Sequence, residues 1–264
     1  MNNYLWGLIM TVYEAIYNRK SVRRFKIEPL APKLLNHIER FEKELLRLHP
    51  EIGFQFVMLD TFDSSMTVRG MFHVKAPYYL VLLVEDKPYA MQEAGYLAEQ
   101  VVLYMTTKGI GTCYQGNAKA DGLKVPAGMK PAMIIAFGMP EGSPYRPENK
   151  AKRLELNEIC SFKEAVSDDV NTLLRAARMA PSALNTQPWR MVAYGNRIHI
   201  FSRRKYGLGY NANLQKFDIG IMLSHIAVAA EELWMQVSLK EMDTVSLKSF
   251  SLKNNEYVTT VCLS

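Results

Sequence analysis

The chain has 264 residues, of which 48% are hydrophobic and 22% charged, enough to bury one sizeable core or two modest ones and too apolar for wholesale disorder. A formal net charge of +6 favours anionic ligands. The three cysteines, Cys113, Cys160 and Cys262, form neither a disulfide framework nor a metal spacing and point to a reducing, cytoplasmic setting; no apolar run approaches the roughly 20 residues of a membrane helix.

Residues 1–10 carry the apolar patch Tyr4-Leu5-Trp6-Gly7-Leu8-Ile9 without a basic leader or cleavage site, which reads as an extension or packing arm rather than a signal peptide. A helix is predicted over 12–19. A longer one follows over 32–48, with Leu34, Leu35, Ile38, Phe41, Leu45 and Leu46 on one face. Strands are expected at 54–59 and 78–84, then a long helix at 91–108 closed by Gly109, then a buried strand at 132–138. Residues 139–148, with Pro140, Gly142, Pro144 and Pro147, read as a connector. The pattern then begins again, with a helix at 170–179, strands at 189–194 and 198–201, a long helix at 217–234 and a strand at 257–263.

Both halves share the order helix, strand, strand, long helix, strand. Glu93-Ala94-Gly95 falls on Asp218-Ile219-Gly220 at an offset of 125 (220 − 95), and residues 134–138 fall on 259–263 at the same offset. This predicts an α+β fold with an antiparallel or mixed central sheet flanked by helices, built from two tandem degenerate repeats, 1–150 and 151–264, packed as an internal pseudo-dimer.

The cations fall in short groups, Arg19-Lys20 with Arg23-Arg24, Lys150 to Arg153, and Arg203-Arg204-Lys205, which suit a phosphate-bearing small molecule better than a nucleic acid. The third group reads as solvated surface. In Arg19-Lys20-Ser21-Val22-Arg23-Arg24-Phe25, guanidinium forks and a hydroxyl can converge on one anion, although an exposed helix end would read the same way. Ala180-Pro181-Ser182-Ala183-Leu184-Asn185-Thr186-Gln187-Pro188-Trp189 is a rigid polar loop able to present donors and acceptors to a heteroaromatic edge; a well-capped helix-to-strand turn fits it equally. Gly109-Ile110-Gly111-Thr112-Cys113-Tyr114-Gln115-Gly116-Asn117 lets backbone approach a flat ligand. It follows a helix rather than a strand, so it is not a dinucleotide fingerprint.

Together these segments resemble the nitroreductase family of FMN enzymes, with Gly138-Met139-Pro140 and Arg153-Leu154 as a fourth point of likeness. The resemblance implies that Arg19, Lys20, Ser21, Arg23, Arg153 and Lys152 hold the FMN phosphate and ribityl chain. It implies that Pro181, Ser182, Ala183, Asn185 and Gln187 pack on the ribityl and ring, and that Gln115, Gly116 and Asn117 lie near the reactive nitrogen. It also implies ping-pong reduction by NAD(P)H of a nitroaromatic, quinone or similar small electron-poor acceptor, with the flavin rather than a side chain carrying the chemistry.

The chain departs from the family pattern in where these motifs lie. The Ala-Pro-Ser segment is in the second half, its usual place near 44–53 lacks it, and the second half has no Arg-Ser-x-Arg stretch. This predicts one FMN per chain across the internal interface and no obligatory dimer, with neither nucleic-acid nor membrane partner. Ala183 stands where many members carry a hydroxyl. Two other outcomes share the scaffold: a flavin-binding sensor or carrier without turnover, or another flavin reaction such as flavin fragmentation or reductive dehalogenation, for which 61–75 is the candidate lid. His37, His49, His73, His199 and His225 read as surface or satisfied core residues. Tyr78, Tyr79, Tyr96 and Tyr104 read as packing, while Tyr114 and Trp189 could serve core or ligand.

Overall fold

A reciprocal cap starts the first helix. The Thr11 hydroxyl accepts from the Glu14 amide at 3.1 Å and the Glu14 carboxylate accepts from the Thr11 amide at 2.8 Å, opening α1 (Val12–Asn18). The computed structural model describes residues 10–63, 66–203, 210–242 and 254–264. The apolar patch before Met10, together with Arg204 and Lys205, lies outside the described residues.

The first half continues with α2 (Pro32–Phe41), β1 (Phe54–Asp60), β2 (Thr67–Arg69), β3 (Tyr78–Glu85), α3 (Ala90–Thr107), β4 (Gly111–Tyr114), β5 (Lys119–Asp121) and β6 (Met129–Gly138). The second half holds α4 (Leu156–Ile159), β7 (Cys160–Phe162), α5 (Asp168–Met179), β8 (Trp189–Tyr194), β9 (Arg197–Arg203), α6 (Ala212–Glu232), β10 (Val237–Lys240) and β11 (Asn255–Leu263).

The strands form two sheets and a small ribbon, in place of the single central sheet expected. One sheet has the order β1-β3-β6-β4, all antiparallel. The other runs β7-β8-β9-β11-β10, antiparallel except for the parallel β7–β8 edge. The order β8-β9-β11-β10 thus repeats β1-β3-β6-β4. In β3 and β6 side chains alternate between faces with period two. Leu80, Leu82, Val84, Ile135 and Phe137 join the main core with the helices, while Tyr79, Val81, Leu83, Ile134 and Ala136 join a second core with Val22, Phe25 and Cys113. Burial on both faces explains why these strands read as continuous apolar runs.

The long helices α3 and α6 cross at Gly95 and Gly220. A Cβ on Gly95 would collide with the carbonyl of Phe217, and one on Gly220 with the carbonyl of Gln92. The contact is reciprocal at the same offset of 125, since 217 − 92 equals 220 − 95. Both helices are buried around most of their circumference, which accounts for their apolar composition.

Several boundaries differ from the sequence expectation. The second helix ends at Phe41 rather than 48, because its would-be last turn bonds to α3 instead of to itself. The Leu46 amide donates to the Gln100 side chain at 3.0 Å, and those of Leu48 and His49 donate to Glu93 at 3.0 and 2.8 Å. The last long helix begins at Ala212 under an Asn211 cap, earlier than the 217 expected. The glycine segment after α3 turns at Gly109, which takes φ +73°, and then becomes β4 rather than staying a loop.

Candidate functional site

A cavity of about 760 Å³ opens where the segment leaving α1, the turn after β4, the 144–153 connector, the loop after α5 and one side of α6 converge. Arg19, Lys20, Ser21 and Arg23 line it from the first segment, and Gln115, Gly116 and Asn117 from the β4 turn. Lys152 and Arg153 come from the connector, and Pro181, Ser182, Ala183 and Asn185 from the α5 loop. The structure therefore gathers the sequence candidates in one place, with one exception. Gln187 is set back from the wall: its amide oxygen accepts from the Leu154 amide at 2.8 Å and its nitrogen donates to the Asn185 carbonyl at 3.3 Å. Trp189 is wholly buried in the core behind the loop and does not reach the cavity, whereas Tyr114 lines it.

The α5 loop holds an unusual backbone. Leu184, Asn185 and Gln187 all have left-handed φ, of 52°, 55° and 46°, in a stretch without glycine. Such conformations cost on the order of 1–3 kcal/mol each and persist only where the surroundings over-determine them. Here several groups do so. The Ser182 hydroxyl accepts from the Gln187 amide at 2.9 Å, and Asn185 donates to the Lys152 carbonyl at 3.0 Å. The Arg153 fork donates to the Met179 carbonyl at 3.2 and 3.1 Å and to the Asn185 side-chain oxygen at 3.0 Å. Arg153 is thus a clamp for the loop, its donors already engaged. Gln115 plays a similar part, donating to the Cys113 and Tyr114 carbonyls and accepting from the Val74 amide at 2.7 Å.

Other guanidinium groups are not so engaged. Nε and Nη2 of Arg19 and Nη1 of Arg146 are buried without a hydrogen-bond partner among the described residues, and both residues line the cavity. Arg146 was not among the sequence candidates. It reaches the site because the connector pairs back on α1: Arg19 bridges Tyr145, and the Arg146 amide donates to the Asn18 carbonyl at 2.9 Å. Proline and glycine spacing alone does not signal that pairing. Burial, and next the charge of Arg19, lower the Arg146 pKa, and the same causes together with Arg146 itself bring Arg153 to about 10. These neighbouring cations, two of them half-buried, give this wall an excess of positive charge.

Two carboxyl groups shape this wall. Glu99, fully buried on α3, accepts from the Tyr114 hydroxyl at 2.6 Å, faces His225 Nε2 at 2.9 Å and lies 3.7 Å from Arg19 Nε. Burial pushes its pKa up, but the charge of Arg19 and the bonds from His225 and Tyr114 outweigh it and hold it below the usual carboxylate value. Asp218 on α6 accepts from the Ala183 amide at 3.1 Å and from the Tyr210 hydroxyl at 3.1 Å. With no cation beside it among the described residues, burial raises its pKa to about 8, despite those two bonds.

Glu93, the offset counterpart of Asp218, sits in different company. Arg47 Nε donates to it at 2.5 Å, while the rest of the Arg47 fork donates to the His49 and Ile52 carbonyls and stacks 4.6 Å over Phe54. Glu93 thus has a protein cation as its partner, whereas Asp218 lines the cavity.

A short flap closes one edge of the cavity. The ribbon of β2 and β5, tied by Arg69 and Asp121, carries Phe72, His73 and Val74 to the rim. Phe72 is 83% exposed, and His73 Nδ1 donates to the Gly70 carbonyl at 3.0 Å. Among the described residues no group of His, Cys, Asp and Glu could hold a metal ion, and no helix is long and apolar enough to cross a membrane.

No curated protein matches the chain. The crystal structure of a "putative nitroreductase" from Thermotoga maritima msb8 is similar at 21% identity and a TM-score of 0.66, over 100% of this chain and 97% of that one. A nitroreductase family protein from Clostridium difficile 630 matches at 15% identity and TM-score 0.47, over 58% of this chain and 98% of its own. A nitroreductase with bound FMN from Desulfitobacterium hafniense DCB-2 matches at 15% identity and TM-score 0.40, over 55% of this chain and 100% of its own. The family model described as "Putative TM nitroreductase" matches residues 11–230, and with the sequence motifs meeting at one cavity, the chain belongs to this nitroreductase family.

Proposed function

We propose that this oxidoreductase binds one FMN per chain in the cavity and uses NAD(P)H to reduce a small electron-poor acceptor, such as a nitroaromatic or a quinone. The observation that carries the reading is that Nε and Nη2 of Arg19 and Nη1 of Arg146 are buried and make no hydrogen bond among the described residues, in a cavity otherwise ringed by Lys20, Ser21, Arg23 and Lys152. Leaving buried charged donors unpaired costs more than an ordinary hydrogen bond returns, so the wall fits a ligand phosphate. A cavity of this size also suits a flat ring system of that class.

In this reading Arg19, Arg146, Lys20, Ser21 and Arg23 would hold the phosphate and ribityl chain. Pro181, Ser182 and Ala183 form one wall, with Gly116 and Asn117 facing it. Arg153, Asn185, Gln187 and Gln115 hold those walls in position through the bonds described above. When bound, FMN supplies two-electron redox chemistry. The protein orients its ligands, keeps water from the covered face and holds a proton on Asp218 at neutral pH. Phe72 and His73 stand at the rim where an acceptor would enter.

The matching sheet orders and the reciprocal glycine crossing support two tandem repeats packed as an internal pseudo-dimer, and Arg47 in its carboxylate pocket supports a single site. Visible absorption of the purified chain, with released flavin counted and NADH and NADPH oxidation followed with a quinone present, tests this directly. About one FMN per monomeric chain and acceptor-dependent oxidation are expected. A protein that stays colourless after incubation with FMN overturns the reading.

A further inference from the structure

Five elements meet at a cluster that reaches from the cavity wall into the core. Arg19 leaves α1, Glu99 lies on α3, Tyr114 on β4 and His225 on α6, and α5 contributes the carbonyl of Ala176. Glu99 and His225 are fully buried and Arg19 is 1% exposed. A buried charge persists only when it is paired, so the cluster constrains its own protons.

His225 Nδ1 lies 2.9 Å from the Ala176 carbonyl, which can only accept, so Nδ1 carries a proton. Its Nε2 lies 2.9 Å from Glu99 Oε1, and one proton must sit between them. If it sat on Glu99, a neutral carboxyl would face Arg19 at 3.7 Å and leave that buried guanidinium without a counter-charge in the cluster. With the proton on Nε2, Glu99 is an anion served by His225 and Arg19 on one oxygen and by the Tyr114 hydroxyl on the other.

We infer that His225 is an imidazolium, and that Arg19, Glu99 and His225 together place one net positive charge behind the cavity wall, where it strengthens anion binding and raises the reduction potential of the bound cofactor. His225 is then a positioning and charge-setting residue that acts through Glu99 on Arg19 and Tyr114, both of which line the cavity. It comes from α6, so the second half of the chain sets the charge of a phosphate wall built by the first. The inference rests on the FMN reading for its effect on potential, but not for the charge itself.

Two substitutions separate this from a merely structural tie between helices. His225→Gln removes the imidazolium and leaves Arg19 and Glu99 to cancel. FMN and inorganic phosphate should bind roughly tenfold more weakly, and a tenfold change in the preference for reduced over oxidised FMN corresponds to about 30 mV more negative for the two-electron couple. Glu99→Gln removes the anion, so Arg19 still provides one positive charge even if His225 becomes neutral. Binding and potential should stay at or above wild type although the variant melts earlier. In the flavin-free wild-type protein, 15N NMR at neutral pH should show both His225 ring nitrogens protonated, changing to a neutral tautomer in Glu99→Gln. A neutral His225 in wild type, or equal weakening of FMN binding in both variants, overturns the inference. Should wild type bind no FMN, the functional reading falls, and the NMR signal and phosphate affinity alone decide the charge.

Discussion

Asp218 and Glu93 occupy matched positions on crossing helices, yet one has an arginine and the other does not. The difference has a pH signature. Asp218 holds its proton to about pH 8 in the fold, while an unfolded aspartate loses it near 3.8. Unfolding therefore releases a proton between these values, and this contribution to stability falls as pH rises from about 4 to 8, by several kcal/mol in all. In Asp218→Asn, where the amide oxygen still accepts from Ala183, thermal melts at pH 8.5 should gain more over wild type than melts at pH 5. Arginines divide similarly. Arg146→Ala should weaken FMN binding by about 10- to 100-fold with little change in melting temperature, because its buried Nη1 makes no hydrogen bond among the described residues. Arg153→Lys should lower stability by about 1–3 kcal/mol, read by denaturant titration, since a lysine cannot span Met179 and Asn185 at once. The stretch from Arg19 to Phe25 could be picked out because it is contiguous, but it was weak alone and gained weight only beside the other segments. Arg146, Arg47 and His225 could not, since each gains its role from a partner 46 or more positions away or from a strand-like pairing of a connector.

At the level of elements, the α3–α6 crossing depends on two glycines. Gly95→Ala and Gly220→Ala each force a methyl against a backbone carbonyl that cannot give way. Each should cost about 1–3 kcal/mol or more by differential scanning calorimetry, and the two losses should be similar because the contacts mirror each other. The long helices and central strands could be read from sequence because their apolar runs are long and closed by Gly109 or by proline-rich stretches. The second helix overran to 48 because Leu45 and Leu46 continue its periodicity. Only the side chains of Glu93 and Gln100, far along the chain, take away the amides that would have extended it. The short strands Gly111–Tyr114 and Val237–Lys240 are too brief to show a period at all. The flap gives a prediction of its own. Phe72→Ala should leave melting temperature and FMN affinity unchanged, since the ring is 83% exposed, while raising KM for an aromatic acceptor several-fold.

Over the whole molecule, a net charge of +6 and a cationic cavity should make FMN binding salt-dependent. Raising ionic strength from about 0.05 to 0.5 M should weaken it measurably by fluorescence titration, though less than for an exposed pair, because Arg19 is buried and Arg146 half-buried. A shared offset of 125 between the halves was visible in the sequence, and so were the segments that line the cavity, some in each half. The pairing of Arg47 with Glu93 was hidden, because Arg47 belongs to no motif and meets its partner only in the fold. That pairing has a consequence for how such a chain can change. In an assembly of two identical subunits every substitution appears twice, so no residue can close one pocket and spare the other. With both sides of the crossing on a single polypeptide, position 47 and position 183 are inherited independently. Under the single-site reading proposed above, a mutation beside Arg47 is never tested against cofactor binding at the cavity, and that side is left to acquire something new.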